Sequence, residues 1–260
     1  MDLAEPWLIP FLSGEAAVYT HRSPGKLADN EDCAALIPFD EESGLLVVAD
    51  GLGGQPNGDV ASGLAIEALC AAIKRSAAES AQLRDAILDG FESANRQIMT
   101  RSVGAATTLV VIEIRGNTIR PYHVGDSMAC VMGQRGKLKL LTLSHSPVGY
   151  AVESGLLDQN EALHHEDRNI VSNVVGIAGM RIEVGAALTL LPHDTLLIAS
   201  DGLFDNFYMT EIIERSRKGP LREGMRRLVA EGQRRMVATQ TAMPGHADDL
   251  TLIAFRLRRR

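Results

Sequence analysis

Two apolar runs of this chain end in the same dipeptide, an aspartate followed by a glycine. Leu-Leu-Val-Val-Ala leads into Asp50-Gly51, and Leu-Leu-Ile-Ala-Ser leads into Asp201-Gly202. A carboxylate at the mouth of a buried strand is costly unless a partner neutralises it, and no basic residue is next to either aspartate in the sequence. A divalent cation is the natural partner, because carboxylates and a backbone carbonyl brought close by glycine are hard oxygen ligands.

Two further acidic positions occupy similar places. Asp126 follows the apolar stretch that ends in Tyr-His-Val-Gly, and Asp248-Asp249 precede the final apolar run, Leu-Thr-Leu-Ile-Ala-Phe. We therefore expect four strand ends to bring acids to one divalent-metal cluster. Oxygen-only ligation favours Mg²⁺ or Mn²⁺ over zinc, because no cysteine or paired histidine with zinc-like spacing lies near these acids.

The composition limits the classes to which the chain can belong. Its 260 residues, 45% of them hydrophobic, can bury a full core, and we expect one domain over 1–260. The net charge of −7 argues against a general nucleic-acid binder. The three cysteines fit neither a disulfide framework nor a zinc site, and no window approaches a membrane-spanning length. We therefore expect a cytoplasmic protein with neither a nucleic acid nor a membrane as partner.

The elements that must position the acids are predicted from hydrophobic periodicity. Strands are predicted at 45–49, 107–114, 118–124, 129–132, 138–143, 187–191, 195–200 and 250–256. Short turns join the four strands from 107 to 143, which are predicted to form one antiparallel meander. Helical spacing predicts one helix pair at 60–74 and 83–98 and a second at 210–217 and 221–237.

This order of elements predicts an α+β fold. We expect two mainly antiparallel sheets stacked face to face, with the helix pairs covering their outer faces. The segment 144–179 is the least regular part of the chain, with scattered Pro and Gly and the polar cluster His-His-Glu-Asp-Arg-Asn at 164–169. It is predicted to be an insertion that lies over one end of the sheets.

Taken in order, the acids form a recognisable series. An acidic pair comes first, then Asp-Gly after a strand, Gly-Asp-Ser, a second Asp-Gly after a strand, and a final acid before the last strand. The chain resembles the metal-dependent serine/threonine protein phosphatases of the protein phosphatase 2C type, especially their bacterial members. The matching segments are Asn-Glu-Asp at 30–32, Val-Ala-Asp-Gly-Leu-Gly-Gly at 48–54, Gly-Asp-Val-Ala-Ser at 58–62, Ala-Thr-Thr at 106–108, Val-Gly-Asp-Ser at 124–127, Leu-Thr at 141–142 with His-Ser at 145–146, Ser-Asp-Gly-Leu-Phe-Asp at 200–205 and Asp-Asp-Leu-Thr at 248–251.

The resemblance implies a fold and a reaction. The fold is a four-layer α-β-β-α sandwich with an irregular flap at about 144–179. The reaction is hydrolysis of phosphoserine and phosphothreonine in proteins by a water that bridges two metal ions, Mn²⁺ or Mg²⁺. Two such ions about 3.5–4 Å apart can lower the pKa of the shared water and aim it in line at phosphorus. The partners would be phosphorylated proteins made by a serine/threonine kinase in bacterial signalling, and the protein would be a monomer.

The resemblance also implies roles for residues at the first metal. Asp50 would bridge both metals, and Gly51 would supply a backbone carbonyl. Asp201 and Asp248 would hold the first metal. Ser127 and Ser200 adjoin these acids, and both are predicted to be local hydrogen-bonding groups, because no basic residue is placed to activate them as nucleophiles.

The remaining roles concern the second and third metals. Glu31 would reach the second metal directly or through water, and Asp32 would accept a hydrogen bond from metal-bound water. Asp126, together with Asp201, would form a weaker third site. Asp249 stands where the family commonly has asparagine. The candidate catalytic residues are therefore Asp32, Asp50 and Asp201, and the candidate metal ligands are Glu31, Asp50, Gly51, Asp126, Asp201 and Asp248.

The chain departs from the family pattern where phosphate and protons are handled. Leu27 replaces the arginine that usually contacts the substrate phosphate, and Lys26 and Arg22 are the candidate phosphate-binding residues in its place. Each of these two residues could equally be a solvated cation in a loop, without contact to phosphate. The histidine that is the general acid of many eukaryotic members is also absent, so that metal-bound water or another donor, such as His145 or His123, would supply the proton.

Two other functions fit parts of the pattern. A weakly active or non-catalytic module that recognises phosphoproteins would keep the metals without efficient phosphate handling, as Leu27 suggests, but the chain retains every core acid. A metal-dependent nuclease would also use clustered carboxylates and two metals. The acidic net charge and the lack of a basic groove weigh against a nuclease.

Overall fold

The computed structural model of the chain describes residues 2–52, 57–79, 82–101, 104–238 and 243–258. Its strands are β1 Trp7–Phe11, β2 Gly14–His21, β3 Asp32–Pro38, β4 Ser43–Asp50, β5 Leu109–Arg115, β6 Thr118–Val124, β7 Met128–Met132, β8 Leu138–Leu141, β9 Glu183–Val184, β10 Leu188–Thr189, β11 Thr195–Ala199 and β12 Leu250–Leu257. Its helices are α1 Gly58–Glu79, α2 Leu83–Arg101, α3 Pro147–Glu153, α4 Gln159–Ala162, α5 Asp201–Phe204, α6 Met209–Ser216 and α7 Leu221–Val237.

The strands form two antiparallel sheets. The first has the order β1-β2-β12-β11-β7-β8, and the second has the order β10-β6-β5-β4-β3, with β9 paired to β6. One apolar cluster lies between the sheets, a second lies between α1, α2 and the second sheet, and a third lies between α6, α7 and the first sheet. The predicted α+β fold, with two stacked sheets flanked by helix pairs, is confirmed.

Strand β4 shows why this layering follows from the sequence. Leu46 and Val48 belong to the cluster between the sheets, whereas Leu45, Val47 and Ala49 belong to the cluster under α1 and α2. Successive side chains of a strand point to opposite faces, and both faces of β4 are covered. The strand is therefore apolar without interruption from Leu45 to Ala49.

The prediction of a single meander over 107–143 is wrong. Strands β5 and β6 form a hairpin in the second sheet, and β7 and β8 form a separate hairpin in the first. The chain crosses between the sheets at Gly125-Asp126-Ser127, where Gly125 has a φ of +107°, which glycine tolerates readily. Turn length alone does not reveal which sheet the next strand joins, so the sequence could not separate the two hairpins. The crossing places Asp126 between the sheets.

Several elements were not predicted. Strands β1, β2, β3 and β9 and the short helices α3, α4 and α5 are present in addition to the expected elements. Strand β3 begins with an aspartate, ends with a proline and contains two alanines, so its apolar alternation is weak. Strand β2 is half-buried between β1 and β12. Within the described ranges, no helix is both long enough and apolar enough to cross a bilayer.

Helices α1 and α2 provide a test of this packing, because they contain glycines in opposite surroundings. A Cβ added at Gly90 would lie 2.5 Å from Leu69 Cδ1 and 3.1 Å from Leu69 Cα, whereas one added at Gly63 would meet nothing within 4 Å. Gly90→Ala should lower the free energy of unfolding by about 1–3 kcal/mol through overpacking. Gly63→Ala should raise it by about 0.5–1 kcal/mol, because alanine favours the helix. Urea unfolding measures both, and equal effects would contradict the close helix contact.

Candidate metal centre

Acids from both sheets meet at one end of the sandwich. Asp32, which begins β3, is paired in register with Asp50, which ends β4. Asp201 follows β11 in the first sheet, and its charge contributes to the raised pKa of Asp50 in the second. We call this group the acid centre, and its members are Glu31, Asp32, Asp50, Asp126, Asp201, Asp205, Asp248 and Asp249. The predicted convergence of acids from distant strand ends is thus a feature of the fold.

Burial and repulsion by neighbouring carboxylates raise the pKa values of six of these carboxyl groups, those of Asp32, Asp50, Asp126, Asp201, Asp205 and Asp248. The pKa of Asp50 is raised well above its ordinary value, first by burial and then by the charges of Asp32, Asp201, Asp248 and Asp126. Burial is also the largest cause at Asp201, followed by Asp248 and Asp126. The pKa of Asp32 is raised to about 7 and that of Asp126 to about 6, each mainly by burial. Among the described residues, positive charge therefore balances the carboxylates of the centre only in part.

The two glycines of the Asp-Gly dipeptides allow close backbone contact. A Cβ on Gly51 would lie 2.2 Å from the carbonyl oxygen of Gly58, and one on Gly202 would lie 2.0 Å from the carbonyl oxygen of Asp249. No other residue fits at either position without moving the backbone. These contacts fix the chain directly after Asp50 and Asp201. Gly53 and Gly54, at the end of the motif 48–54, lie outside the described residues.

Asp32 has one oxygen with a partner and one without. Ser200 Oγ donates to Asp32 Oδ2 at 2.8 Å, and the residue is only 4% exposed. Asp32 Oδ1 is buried and has no hydrogen-bond partner within the described part of the chain. Ser127 Oγ pairs with Thr108 Oγ1 at 2.7 Å. Both serines are hydrogen-bonding groups, as the sequence predicted, and Asp32 Oδ1 is available to a ligand.

Asp205 was not singled out from the sequence. It lies one helical turn after Asp201, and burial followed by the charge of Asp126 raises its pKa to about 7, although Arg168 opposes the rise. Arg168 Nε is 3.6 Å from Asp205 Oδ2 and has no hydrogen-bond partner among the described residues. The Asp-x-x-x-Asp spacing at 201–205 could have indicated this residue, because positions i and i+4 share a helix face.

The candidate phosphate-binding residues are both engaged with carboxylates. Lys26 Nζ lies 2.6 Å from Glu31 Oε2 and 2.7 Å from Asp249 Oδ2. Arg22 Nε lies 2.8 Å from Asp2 Oδ2. Binding of phosphate by Lys26 or Arg22 stays a prediction.

The two candidate proton-donating histidines form a hydrogen-bonded support. His123, His145 and Glu183 place their ligand atoms within 4.8 Å of one another. However, the Gly125 amide donates to His145 Nδ1 at 3.1 Å, so His145 carries its proton on Nε2, which donates to Glu183 Oε2. His123 Nε2 in turn donates to the Leu143 carbonyl at 2.7 Å. His145 has no lone pair left for an ion, so we interpret the group as a support for the turn before β7.

A cavity of about 630 Å³ opens beside the acid centre. Asp126, Asp201 and Asp205 line one side of it, and residues of α3 and α4 from the segment 144–179 line the other. This cavity has the size typical of ligand sites, and its apolar lining meets a strongly polar end. It offers room for the groups that surround a phosphorylated side chain.

The donor set of the acid centre fits divalent cations. Its side-chain donors are carboxylate oxygens, one of which is the orphaned Asp32 Oδ1, and hard divalent cations prefer such ligands. Asp50 and Asp201 keep partial exposure, so the centre is open to solvent. Divalent cations would relieve the repulsion that raises the pKa values. With two ions bound, such a centre can carry out hydrolysis at phosphorus.

Comparisons with known proteins point to one family. Residues 20–241 match the family model described as protein phosphatase 2C. The serine/threonine phosphatase Stp of Listeria welshimeri is 30% identical over 192 residues, which are 70% of this chain and 75% of that protein. The structure of the S. agalactiae serine/threonine phosphatase has a TM-score of 0.77 and 25% identity, covering 94% of this chain and all of that one. The catalytic domain of PstP in complex with two manganese ions shares the fold, with a TM-score of 0.70, 24% identity and coverage of 93% and 96%.

The raised pKa values predict how the stability of the metal-free protein depends on pH. Asp32 has a folded pKa of about 7 against an ordinary value of 3.8. Between these values the folded state binds more protons than the unfolded state, so stability falls as pH rises through this window. Thermal unfolding in EDTA should therefore give a higher melting temperature at about pH 5.5 than at about pH 7.5.

The control for this prediction removes one of the repelling charges. Asp50→Asn should raise the free energy of unfolding of the metal-free protein by about 1–3 kcal/mol near neutral pH and should flatten the pH dependence. Asp89→Asn, on the exposed face of α2, should change neither. Two results together would show that the acids do not repel one another. The metal-free protein would be less stable at about pH 5.5 than at about pH 7.5, and Asp50→Asn would lower its free energy of unfolding.

Proposed function

The chain belongs to the protein phosphatase 2C family and is a metal-dependent serine/threonine protein phosphatase, and we propose that the acid centre is its catalytic site. The observation that supports this most directly is the set of mutually repelling, buried carboxylates contributed by both sheets. Carboxylates that nearby positive side chains balance only in part favour the binding of divalent cations. The bound cations can in turn bind an anionic phosphoryl group. The family membership favours this function over the non-catalytic module and over the nuclease.

We propose a division of ligands within the acid centre. Asp50 and the Gly51 carbonyl, with Asp201 and Asp248, would hold one divalent ion, and Asp50 with Glu31 would hold a second. Mn²⁺ or Mg²⁺ suits this all-oxygen set. The position of Asp50 supports a shared role, since four other acids affect its pKa.

A third ion is proposed on the side of the centre that faces the cavity. Asp126 and Asp201 would hold it, and Asp205 is added to the predicted ligands. The charge of Asp126 raises the pKa values of both Asp201 and Asp205, which supports their proximity. All three carboxylates line the cavity.

The chain's own residues would orient water and protons. When bound, the two ions supply an acidified water as nucleophile and stabilise the charge that develops on the phosphoryl group. Asp32 Oδ1 has no other hydrogen-bond partner in the described part of the chain and would accept a proton from water there. Ser200 holds Asp32 Oδ2 and so fixes the orientation of the carboxylate.

The substrate and setting are proposed from the cavity and the family. The chain would be one catalytic domain, with the segment 144–179 as a flap whose helices α3 and α4 line the cavity beside the acids. The residues next to the phosphorylated side chain would bind there. The substrates would be phosphoproteins of a serine/threonine kinase, and the enzyme would act as a signalling monomer in the cytoplasm. All three cysteines are free, which is compatible with a reducing compartment.

The proposed site predicts that activity depends on both metal and Asp50. Hydrolysis of an aryl phosphate should require Mn²⁺ or Mg²⁺ and should cease with EDTA. Asp50→Asn should lower kcat at least about a hundredfold, because it removes the proposed shared ligand. Asp89→Asn should retain full activity.

The same assay separates the phosphatase from the two alternatives. The protein should release phosphate from a phosphothreonine peptide and leave plasmid DNA intact. Full activity in Asp50→Asn would rule out the acid centre as the catalytic site. Cleavage of DNA instead of the peptide would support a nuclease, and no turnover with any divalent metal would support a binding module.

A further inference from the structure

Lys26 is the one lysine that contacts the acid centre within the described part of the chain. Its ammonium nitrogen lies 2.6 Å from Glu31 Oε2 and 2.7 Å from Asp249 Oδ2, and the side chain is 22% exposed. Both distances are those of charge-assisted hydrogen bonds. Burial acts to lower the pKa of the ammonium group, but the bonds to Asp249 and Glu31 outweigh it and raise that pKa. Lys26 therefore carries a fixed positive charge.

Asp249 connects this charge to the backbone. Its Oδ2 accepts from Lys26 Nζ and also from the Glu31 amide at 2.7 Å, and its Oδ1 accepts from the Ser23 amide at 2.7 Å. The residue is 3% exposed and directly follows Asp248 at the start of β12. The Asp249 carboxylate thus binds the backbone at both ends of the loop 23–31. Lys26, which lies within that loop, donates to the same carboxylate.

Glu31 is held on two sides. Its Oε2 accepts from Lys26, and its Oε1 lies where a side chain on Gly58 would be, only 2.4 Å from an added Cβ. A glutamate in a loop loses side-chain entropy when it is ordered, which opposes the binding of a ligand to it. Here the ion pair and the glycine at the start of α1 order it in advance.

We propose that Lys26 is a positioning residue and fixed counter-cation of the acid centre, whose ammonium group joins Glu31 to Asp249 and holds Glu31 in place before any divalent cation binds. The inference deepens the proposed function and depends on it for the identity of the metal site. Lys26 then contacts neither the substrate phosphate nor the reacting atoms. Without Lys26, the acid centre would carry one more uncompensated negative charge, and divalent cations would have to supply the missing stabilisation.

The chain contains a matched control for this pair. Lys139 Nζ lies 2.6 Å from Asp194 Oδ2, with exposures of 20% and 4%, close to the 22% and 3% of Lys26 and Asp249. Asp194 is not a member of the acid centre. Replacing either lysine should cost similar stability, but only the loss of Lys26 should alter the response to metal.

The test uses thermal unfolding of the full chain in EDTA and then in a fixed excess of Mn²⁺. Lys26→Met and Lys139→Met should each lower the metal-free melting temperature by about 5 °C. Mn²⁺ should raise the melting temperature of Lys26→Met by about 3 °C more than that of the wild type, because cations restore the lost compensation. Lys139→Met should show the wild-type rise. Asp249→Asn alone also breaks one of the two backbone hydrogen bonds that Asp249 accepts. In EDTA the double variant Lys26→Met with Asp249→Asn should therefore lose less than the sum of the two single losses, without recovering the wild-type melting temperature.

Three results would overturn the proposal. The first is an Mn²⁺ response in Lys26→Met that is equal to or smaller than that in Lys139→Met. The second is a double variant whose melting temperature in EDTA falls by the sum of the decreases of the two single variants. Failure of both Lys26→Met and the double variant to fold would count in the same way. The third is a tenfold weaker inhibition by inorganic phosphate in Lys26→Met with an unchanged metal-free melting temperature, which would make Lys26 a phosphate ligand. A wild type without phosphatase activity that still shows the expected unfolding pattern would contradict the proposed function and leave the role of Lys26 intact.

Discussion

Repulsion between buried carboxylates is the interaction to which the rest of this structure is adjusted. Burial is the largest cause that raises the pKa values of Asp32, Asp50, Asp126, Asp201 and Asp248, and the charges of neighbouring carboxylates raise them further. Such an arrangement is unfavourable on its own, because each charge loses hydration and faces like charges. It persists because two sheets, each with an extensive apolar core, hold the strand ends in place. The favourable packing of the two sheets thereby offsets the unfavourable energy of the acid centre. Metal-dependent chemistry is proposed to take place at this centre.

The surroundings of the acid centre reduce this repulsion without abolishing it. Lys26 balances Glu31 and Asp249 on one side, and Arg168 lies near Asp205 on the other. Between them, the largest causes that shift the pKa of Asp50 are burial and the charges of four other carboxylates. The positive side chains of Lys26 and Arg168 therefore lie at the edge of the acid centre. Divalent cations and a phosphoryl group are proposed to bind between them, at Asp50.

The sequence predicted the fold class. It also predicted that acids from distant strand ends lie close together, because apolar runs that lead into Asp-Gly mark the ends of buried strands. It did not predict the crossing between sheets at Gly125, since a short turn after β6 is compatible with either sheet. Strands β1–β3 were missed because weak alternation carries little information about pairing with a distant strand such as β12. The ion pair of Lys26 with Asp249 joins residues 223 positions apart, and only the folded chain brings them together. Asp205 belongs to the motif at 200–205, but the sequence does not show that this carboxylate is buried near Asp126.

The acid centre takes its members from both sheets, and this has a mechanical consequence. Asp50 is carried by the second sheet, and Asp201 and Asp248 are carried by strands of the first. The layer between the sheets, which includes Val48 and Ile253, therefore acts as a spacer that sets the separation of the carboxylates. A slide or tilt of one sheet against the other would widen or narrow the proposed cation site directly. Core packing several residues from any acid would in this sense influence which cations the proposed site can hold.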